Sequence, residues 1–163
     1  MVSGQLYIPF IESIKNIFRK NADIEICTEG TFYTQNEDIK SLGVASIINF
    51  FGKMKGRFLI DMEKDLALAL AKNMIGTDFD PENENMVLES VKKLNRIIAD
   101  NAIEELNNLY SAEIKAALPI VLEGKDALIT VPKVEPISMD YITACGRLKI
   151  NIAIEEDNRT QEY

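Results

Sequence analysis

The residues that most constrain the fold run from Met86 to Gly124. Val87, Val91, Leu94, Ile98, Ala102 and Leu109 recur at helical spacing and fall on one stripe. Glu89, Lys93, Arg96 and Asp100 fall on the opposite stripe. At roughly 100° per residue, those four lie within about 60° of one another. A long amphipathic helix must lay its apolar face on a core, so it holds the polar row in water on a rigid element. The helix leads at a fixed distance into Leu118-Pro119-Ile120-Val121-Leu122-Glu123-Gly124.

The flanking sequence predicts the rest of the architecture. Pro9 can open a helix, because a missing amide donor is harmless in the first turn. Phe10, Ile14, Ile17 and Phe18 continue that helix to about Asn21. Ile24 to Tyr33 reads as a strand. Val44 to Phe51 and Arg57 to Met62 read as a hairpin whose short turn is bracketed by Gly52 and Gly56. Glu63, Lys64 and Asp65 open a helix that Gly76 stops. Thr77 to Asn85, acidic and containing Pro81, is a loop between two halves. After the long helix, Glu113 to Leu122, Ala127 to Val131, Ile137 to Ala144 and Arg147 to Ile154 read as strands, with Gly146 at the last turn. Strands cluster rather than alternate with helices, which points to an α+β fold. One domain over residues 1–163 is expected, with a core over about 7–155 and a polar tail over 156–163.

Composition narrows the chemistry. The net charge of −8 argues against nucleic-acid and anionic-membrane partners, both of which require a basic surface. The chain has no histidine, so no histidine base or metal ligand is available. Cys27 and Cys145 do not make a metal site and read as two buried, reduced thiols. No phosphate-binding glycine loop is present. No apolar run approaches the ~20 residues that span a bilayer, and no leader pattern precedes the first helix, so a cytoplasmic location is expected.

Spacing gives the specific clue. Three residues separate Glu89 from Lys93, two separate Lys93 from Arg96, and twenty-two separate Arg96 from Pro119. This frame resembles the signature of the CheC/CheX/FliY family of bacterial chemotaxis phosphatases: Asp or Ser, three residues, Glu, two residues, Asn, twenty-two residues, Pro. Lys93 stands at the Glu position and Arg96 at the Asn position; Pro119 is kept, and Glu89 replaces Asp. Other segments carry the likeness, which is closest to the CheX branch. Tyr7-Ile8-Pro9-Phe10-Ile11-Glu12-Ser13 resembles its opening helix. Val44 to Ile48 with Gly52-Lys53-Met54-Lys55-Gly56 resembles its first hairpin, and Leu66 to Gly76 its second helix. Asp100-Asn101-Ala102 stands where the family often has Gly-Asn-Ala. Cys145-Gly146-Arg147-Leu148 with Ile150 to Ile154 resembles its last hairpin.

The resemblance implies an antiparallel-rich sheet flanked by helices, with two halves related by pseudo-two-fold symmetry. It also implies a CheY-like response regulator as partner, and a homodimer joined through sheet edges, for which Ile150-Asn151-Ile152-Ala153-Ile154 is the candidate strand. In the implied mechanism, the Asn amide orients a water toward an aspartyl phosphate. The Glu carboxylate pairs with the regulator's lysine, and magnesium is carried by the regulator, so the chain itself needs no cofactor. Lys93 and Arg96 cannot fill those roles, because neither has an acceptor atom. The expected outcome is binding through Glu89, Lys93, Arg96, Asp100 and Pro119, with weak or absent phosphatase activity. An active phosphatase with a non-standard site and a structural homodimeric module are the alternatives.

Plainer readings stand beside these. Glu89–Lys93 and Arg96–Asp100 are i,i+4 pairs of opposite charge, which also decorate solvated helix faces. Asn95 restores an amide one residue early, preceded at three by Lys92, but points about 100° away from Arg96. Glu104–Asn107 and Glu105–Asn108 repeat the Glu, two residues, Asn spacing three turns late, with Glu105 near the apolar stripe. Pro119 can simply shape an edge strand. Glu12, Lys15, Asn16 and Arg19 read as the wet face of the first helix.

Overall fold

The computed structural model describes residues 4–156. Three helices, α1 (Gly4–Ala22), α2 (Lys64–Ile75) and α3 (Glu84–Tyr110), cover one face of an antiparallel sheet. Its strands are β1 (Cys27–Thr34), β3 (Gly43–Phe51), β4 (Met54–Glu63), β5 (Lys115–Ala116), β6 (Ile120–Glu123), β8 (Ile137–Thr143) and β9 (Gly146–Glu156). The spatial order is β1-β8-β9-β4-β3, with β5 and β6 both on the outer side of β3. Two short strands, β2 (Ile39–Lys40) and β7 (Leu128–Ile129), pair with each other. They bury Ile39 and Ile129 against Ala45 and Leu59 on the face away from the helices.

The pairing reveals the hidden repeat. Helix, swapped strand and hairpin occur twice: α1, β1, β3–β4, then α3, β6, β8–β9. β1 leaves its own half to pair with β8, and β6 leaves its half to pair with β3. The two hairpins meet at β4–β9 in the middle of the sheet. The fold is therefore α+β with pseudo-two-fold halves, as expected.

Hydrophobic alternation sets the register. Val44, Ile48 and Phe50 on β3, Phe58, Ile60 and Met62 on β4, and Leu148, Ile150, Ile152 and Ile154 on β9 point at the helices. Phe10 of α1 stacks against Phe50 and Phe58, with ring centroids 5.7 and 4.9 Å away. Ser13 donates to the Ile98 carbonyl at 2.8 Å and ties α1 to α3 inside the core.

Several sequence expectations change. Pro9 lies inside α1 rather than in its first turn. It deprives the Gln5 carbonyl of a donor, and the burial of Leu6 and Phe10 carries the helix through. Gly56 is not in a turn but pairs with Phe50 and Ile154 in β4. A Cβ there would collide with the Ala153 carbonyl and the Phe50 ring, so close approach of β9 is what requires glycine. The strand read from Ile24 begins at Cys27, and the one read from Ala127 shrinks to β7. Cys27 is exposed and Cys145 half-buried, so the thiols are not two buried ones; both are free. The segment Ile150 to Ile154 belongs to β9, between β8 and β4, and is buried. It is a central strand and cannot be a dimer edge. Leu109 is exposed, whereas Ile103 and Leu106 are buried. The buried arc of α3 shifts around the helix along its length, so the stripe does not continue straight. For the same reason Glu105 is exposed. Of the expected tail, Glu156 ends β9, and 157–163 lie outside the described residues.

Candidate functional site

α3 is held at both ends. Asn83 caps its start, its Oδ1 accepting from the Met86 amide at 3.4 Å. Ser111 ends it in the left-handed conformation, with its amide on the Asn107 carbonyl at 2.9 Å. Between the caps, burial of Val87, Val91, Leu94, Ile98 and Ala102 fixes which face looks outward. Glu89, Lys93, Arg96 and Asp100 are all exposed on that face.

Opposite them, the chain following α3 returns along β3, but not as the continuous strand expected over Glu113 to Leu122. Phe50 opposes Ala116 and Ile47 opposes Ile120. Three residues, Ala117, Leu118 and Pro119, therefore face two, Ile48 and Asn49. This is a bulge of one residue, which re-aims neighbouring side chains. Proline suits it, because a bulge on an edge strand needs no amide there. The bulge brings Leu118, 73% exposed, and Pro119 against α3.

A groove of about 360 Å³ results, lined by Glu89, Lys92, Lys93, Arg96, Leu118 and Pro119. Four of the five residues singled out in sequence thus meet at one place, twenty-two residues of intervening chain notwithstanding. Asp100 stands outside the wall, its carboxylate 3.7 Å from Arg96 Nε. The Glu89–Lys93 pair does not form. Glu89 instead bonds Lys92 at 3.2 Å, one position nearer, and Lys93 has no ion-pair partner among the described residues. Lys92 and Leu118 were not singled out as site residues. Lys92 is reached only because its half-buried stem lies along the groove floor while its ammonium turns to Glu89.

The wall carries three cations and one carboxylate, on a protein of net charge −8. Lys93 and Arg96 only donate hydrogen bonds, and the Glu89 carboxylate is engaged by Lys92. Asn95, next to Arg96, is wholly buried. Its Nδ2 donates to Ser46 at 3.1 Å and its Oδ1 has no partner, so it belongs to the helix–sheet contact and not to the groove. Asn107 uses its whole amide on the Ile114 backbone, donating at 3.1 Å and accepting at 2.7 Å, which removes the Glu104–Asn107 alternative. Asn108 and Glu105 are exposed but remote from the bulge. Among the described residues, no group of three or more Cys, Asp or Glu is placed to hold a metal ion. The strongly perturbed carboxylate lies on the other face of the sheet. Burial pushes Asp61 up to about 6, against the opposing effect of the Leu42 amide and the Ser41 hydroxyl that it accepts from.

No curated protein matches the sequence. Solved structures do match the fold. CheX of Desulfovibrio desulfuricans is 22% identical, with a TM-score of 0.84 over 93% of this chain and 99% of that one. CheX of Vibrio vulnificus is 23% identical, with a TM-score of 0.81 over 93% and 99%. A complex of CheX with CheY, BeF3 and Mg from Borrelia burgdorferi contains a chain 21% identical, with a TM-score of 0.74 over 93% and 98%. Among the described residues, no helix is long and apolar enough to cross a membrane. The family model described as chemotaxis phosphatase CheX matches residues 44–142, from β3 through α3 and the bulge into β8, and the chain belongs to that family.

Proposed function

We propose that this protein binds a phosphorylated CheY-type response regulator through the α3 groove and hydrolyses its aspartyl phosphate weakly or not at all. One observation carries this: the groove exposes Lys93 and Arg96 where the family resemblance calls for Glu and Asn. Hydrolysis needs a water placed in line with phosphorus. Arg96 has no atom that can accept from such a water. Its guanidinium suits the phosphoryl oxygens themselves. Lys93 would meet the regulator's lysine with like charge, a repulsion of about 4 kcal/mol at 4 Å in an effective dielectric near 20. The phosphoryl group would be held rather than attacked. Magnesium comes with the regulator, and the complex forms in the cytoplasm.

The test follows phosphate loss from a phosphorylated CheY-type regulator with magnesium. The expected result is no acceleration, together with binding that requires phosphorylation. Acceleration that disappears in Arg96→Ala overturns the proposal. The double change Lys93→Glu with Arg96→Asn is expected to accelerate phosphate loss at least about tenfold.

Copies of the chain pair through the outer edge of β6. Beside that unpaired backbone, Ile120 and Leu122, 51% and 38% exposed, project from the sheet face away from the helices, and an edge flanked by exposed apolar side chains is a template for another strand. Leu122→Lys should shift sedimentation toward the monomer; an unchanged dimer, or a monomeric unaltered chain, counts against this edge.

A further inference from the structure

The cationic groove does not end at Glu89. A second groove of about 350 Å³ continues along the N-terminal half of α3, lined by Ile75, Asn85, Met86, Glu89, Ser90 and Lys93. Glu89 and Lys93 belong to both walls, so the two are one surface with two unlike ends. The far end is apolar. It is built from the last residue of α2, Ile75, and from Met86, both half-buried. Ser90 lines it without offering a free donor, its hydroxyl being spent on the Met86 carbonyl at 2.7 Å. The Asp80 amide reaches the Met86 sulfur at 3.4 Å and holds the side chain at the groove.

We propose that this is a bipartite docking surface, and that its partner presents a bulky apolar side chain beside its anionic centre. This rests on the reading of the cationic groove as the regulator's docking site, and adds which feature of the regulator is selected. Helical rise fixes the geometry. Met86 stands about 10 Å from Lys93 and about 15 Å from Arg96 along the axis. A regulator that fits both ends carries an aliphatic or aromatic residue that far from its phosphorylated aspartate. The apolar end supplies burial, and Met86 can repack around side chains of different shape. The cationic end supplies attraction to charge. Neither Lys93 nor Arg96 distinguishes one phosphorylated receiver from another, so Ile75 and Met86 set the choice among them.

The two ends respond differently to salt, which separates them. A CheY-type regulator loaded with beryllium fluoride and magnesium serves as the probe, with affinity measured at about 50 mM and about 500 mM salt. Met86→Ser and Ile75→Ser should each weaken binding about tenfold, by the same factor at both salt levels. Met86→Leu should bind within about twofold of the unaltered chain, because it keeps the apolar volume. Lys93→Gln with Arg96→Gln should weaken binding mainly at low salt. Melting temperatures identify any variant that loses its fold; Ile75, at a helix end, is the safer of the two positions. If both Ser variants bind like the unaltered chain while Lys93→Gln with Arg96→Gln binds poorly, the apolar end is no docking site and the regulator reading stands. If the unaltered chain does not bind the probe, both fail together.

Discussion

Two rows of polar side chains run through this molecule under opposite conditions. One lies on the far face of the sheet. There Gln35 accepts from Ser138 at 2.9 Å, Asn151 donates to Ser138 at 3.0 Å, and Arg57 donates to Asn151 at 3.3 Å and to the Thr130 carbonyl at 2.7 Å. Ser41 and the Leu42 amide converge on Asp61 beside them, at 2.8 and 2.9 Å. Ser138, Asn151 and Asp61 are fully buried. The other row is Glu89, Lys93, Arg96 and Asp100 on α3, where every member is open to water. In the buried row Gln35, Ser138, Asn151 and Arg57 are bonded in series and Asp61 holds Ser41 and the Leu42 amide, so changing one strands another. In the exposed row the solvent replaces any lost partner. The fold therefore accepts Lys93 and Arg96 where related chains are expected to carry Glu and Asn, because neither position is packed. Chemistry can change on α3 without altering what holds the sheet together.

The sharpest way to break this comparison is Asn151→Ala. It opens a cavity in the centre of the sheet, removes the donor to Ser138 and takes away one of the two acceptors of Arg57, whose Nε already lacks a partner. An unfolding free energy lower by about 3–4 kcal/mol is expected from denaturant titration. A loss below about 1 kcal/mol would mean that the buried row is as replaceable as the exposed one.

Asp61 gives the next largest effect, and a pH signature. Its folded pKa of about 6 stands above the usual ~3.9. The folded state thus holds the proton more tightly than the unfolded chain. This contribution to stability is complete below about pH 4 and is lost as pH rises through about 6. Asp61→Asn removes the titration. The stability of that variant relative to the unaltered protein should rise by about 3 kcal/mol between pH 4 and pH 7. A pH-independent difference would show that Asp61 is ionised without penalty.

The two rows were not equally legible in the sequence. The exposed one could be read because helical periodicity places side chains by arithmetic, and Glu89, Lys93 and Arg96 stand where the arithmetic puts them. Their meeting with Pro119 was visible only as a spacing. The bulge that achieves it depends on the register of Ala116 to Ile120 against β3, which no local pattern encodes. The buried row left no signal at all, because Asn151, Ser138 and Asp61 come from three strands, β9, β8 and β4, that only the pairing brings side by side. The same gap explains the misplaced edge. Alternation from Ile150 to Ile154 marks a strand, but strand order is set by the swap of β1 and β6 between halves. Ion-pair choice also escaped, since Lys92 and Lys93 both lie within reach of Glu89 on a helix and the packing of the Lys92 stem decides between them.

Asn95 and Arg96 bring the comparison down to neighbouring residues. Asn95→Ala leaves Ser46 without its donor beneath α3, and a loss of about 1–2 kcal/mol is expected. Arg96→Ala removes a side chain from solvent and should change stability by no more than about 0.5 kcal/mol. Regulator binding should respond in the reverse order, with Arg96→Ala the more damaging. Equal stability losses from the two variants would place Arg96 in the packing and remove the distinction.

The smallest effect is the most discriminating. Asp100 pairs with Arg96 at 3.7 Å, and both side chains are more than half exposed. Asp100→Ala should lower stability by only about 0.3–0.5 kcal/mol, the usual worth of such a pair on a helix. It also takes a negative charge from beside the groove and frees the Arg96 guanidinium. If the exposed row serves an anionic partner, this slightly less stable variant should bind the beryllium fluoride form of the regulator more tightly. The gain should be about twofold to fivefold at low salt and should vanish at high salt. Stability and affinity moving in opposite directions is the signature of a row whose charges are held for a partner. If they fall together, Asp100 and Arg96 are a solvated ion pair and nothing more.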